Sequence, residues 1–130
     1  MRELLFVFLG GGIGSVFRFG IKLIQTHLSL NHISTLVQTI FPWTTMVANV
    51  LGCLLIGIFY SVSERTGMSP EVRLFLTTGL CGGFTTFSTF SSEGIDLLRG
   101  EHFGLFALYF LLTLVLGLGA VLLGAWVGGK

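Results

Sequence analysis

Four long apolar runs divide this chain, from Leu4 to Leu23, Trp43 to Ser63, Val72 to Leu97 and Phe103 to Val127, with scattered polar residues that show no strict alternation. The hydrocarbon core of a bilayer, about 30 Å thick, takes about 20 such residues as a helix. Each run is long enough to cross, so four membrane-spanning helices are predicted. They use most of residues 1–130, which makes a single four-span domain the expectation. Most links are short. The exception is residues 24–42, whose mixed polar and apolar sequence fits a turn of helix lying along the membrane surface. Gly67 marks a turn, and the Ser69-Pro70 pair suits the start of the next helix.

The polar residues inside the runs fall in helical register. Gly11, Ser15, Arg18 and Lys22 share one face of the first span, Thr45, Asn49, Gly52 and Ile56 share one of the second, and Tyr109, Thr113 and Gly117 line up on the fourth. An arginine at mid-membrane costs about 2.5 to 3.5 kcal/mol on insertion scales, so Arg18 reads in two ways, as an interfacial anchor or as a residue of a water-filled vestibule. Asn49 is equally double, either bonding a neighbouring helix or offering its amide to a pathway. The run GGGIGS at 10–15 lacks the Lys-Ser/Thr ending of a phosphate loop and follows no soluble strand, so its glycines read as close helix packing.

The third run is the anomalous one, because GGFTTFSTF at 82–90 puts adjacent glycines, four hydroxyls and three phenylalanines into a segment meant for hydrocarbon. Each glycine weakens a helix by about 1 kcal/mol relative to alanine, and Thr85 and Thr86 add β-branched strain. The helix is therefore expected to break near Gly82–Thr85. Unwound backbone at that depth is tolerated only where it is buried in protein or lines a cavity, and in transporters such breaks place carbonyls on cations. Phe87 and Phe90, three apart, share a face; aromatic edges are electropositive, and with Thr86, Ser88, Thr89, Ser91 and Asn49 beside them they suit a small hydrated anion. The competing reading is ordinary packing, with hydroxyls bonded back to their own helix.

Composition narrows the class. With 52% hydrophobic and 10% charged residues and a mean hydropathy of +0.91, the chain is far from the roughly 25% charged content of soluble domains. A net charge of +1 leaves no basic reservoir for nucleic acid. Cys53 and Cys81 lie in apolar runs without a CxxC spacing and read as small buried hydrophobes. No small-residue cleavage site follows the first run, which is expected to stay as a span. His27, His32 and His102 have no carboxylate at catalytic spacing, so an enzyme is not expected. Four spans put Arg2, Arg65, Arg73 and Lys130 on the terminal face and Arg18, Lys22 and Arg99 on the other. That near-balance gives little orienting bias, which admits insertion both ways round and an antiparallel pair of copies.

At GGGIGSVFRF (10–19), TTMVANVLG (44–52) and above all TTGLCGGFTTFSTFSSE (77–93), the chain resembles the small bacterial fluoride channels of the Fluc or CrcB family. The resemblance implies an all-α, four-span subunit of an antiparallel, dual-topology homodimer in the bacterial cytoplasmic membrane, with fluoride pores at the subunit interface and passive fluoride export. It also implies a structural sodium ion on the backbone carbonyls of Gly82 and Thr85, pore phenylalanines at Phe87 and Phe90, a pore-facing amide at Asn49 and a vestibule arginine at Arg18. Ser88, Thr89, Tyr109 and Thr113 join the polar track, while Glu93 matches the acid after the motif without a role attached. Phe84 is left to packing. Trp43-Thr44-Thr45 and the long 24–42 segment depart from the family pattern. The rival class is a small dual-topology proton-coupled antiporter, which needs an embedded carboxylate; a non-transporting assembly subunit is the third.

Overall fold

The computed structural model describes residues 1–31 and 40–130, with only the backbone for 28–31, and the described residues are helices joined by short connections. Helix α1 covers Arg2–Asn31 and α2 covers Trp43–Thr66. The third segment starts as α3 (Pro70–Leu74), widens into a π-helical stretch over Phe75–Cys81, closes with the single turn α4 (Gly82–Phe84), and resumes after two extended residues as α5 (Phe87–Arg99). Helix α6 covers Phe103–Gly128.

The local chemistry accounts for most boundaries. Gly67 ends α2 in the left-handed conformation (φ 64°, ψ 37°), donating its N–H to the Ser63 carbonyl. Ser69 caps α3 by accepting from the Val72 amide at 3.4 Å, with Pro70 in the first turn, where a missing N–H does no harm. Nothing after Leu23 breaks the first helix, since no Gly or Pro follows until Pro42. It therefore runs on to Asn31, and residues 24–31, expected in a surface linker, continue it. The rest of that expectation, at 32–39, lies outside the described residues.

Among the described residues, α1 (over Arg2–His27), α2 and α6 are each long and apolar enough to span a membrane. The third segment, predicted as a span over 72–97 broken near Gly82–Thr85, runs in two helical halves, 70–84 and 87–99.

Glycine seams set the packing. Helix α1 lies along the π-helical stretch and α4, while α2 lies along α6. At the first seam a side chain on Gly14 would meet the Phe84 amide nitrogen at 2.8 Å, and one on Gly79 would meet the Gly10 Cα at 2.9 Å. At the second, one on Gly124 would meet the Ile58 amide nitrogen at 3.0 Å, and one on Gly128 the Ile58 carbonyl at 2.7 Å. Backbones this close gain dispersion contact in lipid, where hydrophobic exclusion offers nothing. The core of Phe41, Met46, Phe90, Leu97 and Tyr109 joins α2, α5 and α6. Cys81 is buried, Cys53 is half-buried and both are free thiols. Phe84 is buried, in its expected packing role.

Candidate functional site

The helix breaks at Thr85 and Thr86 rather than at the glycine pair. Thr85 (φ −85°, ψ 159°) and Thr86 (φ −153°, ψ 121°) are extended, while Gly82 stays helical at φ −63°, ψ −38°. The threonines close both ends of the gap. Thr85 sends its amide and its hydroxyl back to the Cys81 carbonyl, each at 2.9 Å, finishing the first half. The Thr86 hydroxyl accepts from the Thr89 amide at 3.2 Å, capping α5 as an N-cap threonine does. Gly83 serves approach instead, since a side chain there would meet the Gly11 Cα at 2.9 Å, whereas one on Gly82 would meet nothing nearer than 4.0 Å.

Neighbouring helices hold the exposed backbone. Asn49 of α2 accepts from the Thr86 amide at 2.8 Å through Oδ1 and donates from Nδ2 to the Thr86 carbonyl at 3.1 Å. In a continuing helix that amide would go to the Gly82 carbonyl, so Asn49 releases Gly82 from its helical partner. From α1, Ser15 Oγ donates to the Gly83 carbonyl at 3.4 Å and Arg18 Nη1 to the Thr85 carbonyl at 3.5 Å. The α1 face read from the sequence thus meets the break directly.

Two hollows flank this point. One, of about 520 Å³, is lined by Ser15, Arg18, Lys22, Thr45, Thr89 and Glu93 among others; the second, of about 360 Å³, is mainly apolar and includes Asn49, Gly82, Thr85, Phe87, Phe90 and Thr113. Thr86 lines both. Phe87 is 78% exposed and Phe90 only 4%, their ring centroids 6.0 Å apart and tilted by 41°. The Thr113 hydroxyl is buried without a hydrogen-bond partner among the described residues.

Two residues stand apart. Ser88 is exposed and lines neither hollow, although its hydroxyl lies 3.3 Å from that of Thr86. Tyr109 is fully buried behind Phe90, with centroids 5.0 Å apart, and donates its hydroxyl to Glu93 Oε2 at 2.8 Å. Glu93 Oε1 accepts from Thr45 at 2.8 Å. This Thr45–Glu93–Tyr109 bridge joins α2, α5 and α6, and it is the part of the site that sequence reasoning missed. Glu93, at the α5 position one turn beyond Phe90, was the available signal.

Three apolar helices around a split polar segment define a multi-pass membrane protein. Residues 5–125 match the family described as CrcB-like protein, Camphor Resistance (CrcB), and the chain belongs to that family. A Bacteroides fragilis protein named fluoride-specific ion channel FluC is 46% identical over 128 residues, 98% of this chain and 97% of its own length. Proteins of the same name from Phocaeicola vulgatus (46% over 127 residues, 98% of each chain) and Thermus thermophilus (42% over 130 residues, 99% of this chain and 97% of its own) are also similar. Those relatives are named as channels, in keeping with the expectation that the chain is not an enzyme.

Proposed function

We infer that this chain is the subunit of a fluoride-selective channel of the bacterial cytoplasmic membrane, which lets fluoride leave the cell down its gradient. The observation that carries the reading is the Thr85–Thr86 break between two hollows, in a chain 46% identical to channels of that name. Hydrogen fluoride crosses lipid as a neutral acid and dissociates inside, so a passive anion path suffices to lower the trapped ion. Desolvating so small an anion is costly. The remaining Asn49 amide hydrogen, the Thr86, Thr89 and Thr113 hydroxyls and the ring edges of Phe87 and Phe90 would replace its water, as the linings of other selective pores do.

The exposed ring of Phe87 and the apolar hollow behind it fit an interface, and a second copy in antiparallel orientation is the partner we propose for it. The carbonyls of Gly82 and Thr85 fit a structural sodium ion because neither keeps its helical amide: Asn49 takes the Thr86 amide and the Thr86 hydroxyl takes that of Thr89. Neutral carbonyl oxygens suit a hard cation, and one chain supplies only part of a coordination shell, so a symmetry-related pair would complete it. Such an ion would pin the two breaks together. Arg18 then belongs to the vestibule, with Lys22 beside it in the larger hollow. The antiporter reading is not favoured, because both Glu93 oxygens already accept hydrogen bonds within the chain.

Purified protein in liposomes loaded with fluoride tests the reading. Rapid fluoride efflux without chloride efflux is expected; no efflux, or chloride efflux at a similar rate, overturns it. Cross-linking of C-terminal tags from opposite sides of the membrane tests the antiparallel arrangement.

A further inference from the structure

The two pore phenylalanines are held in different ways. Phe87 touches the Phe90 ring and is otherwise open. Phe90 is enclosed from the α6 side, where the Phe110 ring lies over it at a centroid distance of 4.3 Å and a tilt of 35°, closer than any other ring it meets. Phe110 fits there because Gly94, four residues beyond Phe90 on α5, has no side chain: a Cβ on Gly94 would meet Phe110 Cε2 at 2.5 Å and Cζ at 2.9 Å. Phe106 backs Phe110 in turn, with centroids 4.5 Å apart.

We propose that Phe110, seated in the space left by Gly94, is a positioning residue that fixes the ring plane of Phe90 and so the direction in which its edge faces the ion path. A flat ring is needed for this. Aromatic pairs take a few preferred relative orientations, whereas an aliphatic chain of similar volume fills the same space without setting a plane. The role is confined to Phe90, and nothing in it requires Phe110 to touch the ion.

The proposal rests on the channel reading for its transport test but not for its spectroscopic one. In the first, Phe110→Leu and Gly94→Ala are compared with the parent for fluoride efflux per incorporated protein, with elution as a folded oligomer checked for each. Both are expected to conduct roughly tenfold more slowly, the scale expected when a positioned group shifts by a fraction of an ångström. On a Phe90→Ile background Phe110→Leu should lower flux no further, since residues acting through one another are non-additive. Parental flux in the single variants, or an undiminished additional loss on the Phe90→Ile background, overturns the proposal.

In the second test, para-fluorophenylalanine at position 90 reports its surroundings by fluorine NMR. A changed and broadened signal in Phe110→Leu supports a ring that has lost its fixed plane, and an unchanged one overturns the proposal whether or not the protein conducts fluoride. Phe110→Met, whose unbranched chain adapts better to the shape of the space, replaces Phe110→Leu in both tests if the latter does not fold.

Discussion

Asn49 holds Thr86 on both sides at once, accepting from its amide at 2.8 Å and donating to its carbonyl at 3.1 Å. One side chain thus supplies both partners that the extended residue would lack in lipid. Asn49→Leu leaves both backbone groups unsatisfied, at about 1 to 3 kcal/mol each. Fluoride efflux should fall to background and the detergent-solubilised protein should melt at lower temperature. Asn49→Asp keeps only the acceptor and sets a charge against the Thr86 carbonyl, so it should fail in the same way. Parental efflux in Asn49→Leu would show that the break holds itself.

Phe87→Ile and Phe90→Ile should both slow fluoride efflux while leaving the oligomer intact, but their stability effects should differ. Phe90 is buried against Tyr109 and Phe110, so its loss should cost about 1 to 3 kcal/mol. Phe87 is open in the single chain. Thermal melts alongside flux separate the two, and variants that conduct like the parent would reduce both rings to packing.

Removing sodium should lower efflux and loosen the oligomer. Replacing sodium with N-methylglucamine during purification and assay tests this, and equal flux and equal oligomer stability would argue against the Gly82 and Thr85 carbonyl site.

Gly14→Ala should lower stability by about 1 to 3 kcal/mol, because the added carbon meets backbone atoms that have nowhere to go. Gly12→Ala, on the same helix with nothing within 4 Å of its would-be side chain, should be neutral or stabilising by up to about 1 kcal/mol. Melting both variants checks the seam, and equal behaviour would refute it.

Much of this arrangement is readable from residue spacing. The faces Gly11–Ser15–Arg18 and Thr45–Asn49–Gly52 follow from helical period alone, and both turn toward the break. The position of the break is harder to read, since intrinsic propensity marks Gly82 and Gly83, while Gly83 packs against Gly11 and the capping hydroxyls of Thr85 and Thr86 take the gap. The π-helical turn over Phe75–Cys81 has no periodic signature, and the bridge from Glu93 to Thr45 and Tyr109 joins side chains of three separate helices. Such contacts depend on how the helices sit together, which no local pattern encodes.

The larger hollow has an electrical consequence. At about 520 Å³ and lined by Arg18, Lys22, Glu93, Asp96 and Gln25, it is roomy and polar enough to hold water. Conducting solution therefore reaches in as far as Thr86, and the insulating layer there is thinner than the roughly 30 Å of hydrocarbon elsewhere. The transmembrane voltage, about 2.3 kcal/mol per elementary charge at 100 mV, drops over that shorter distance. An ion crossing by this route thus meets a steeper field beyond Thr86 than one crossing plain lipid would.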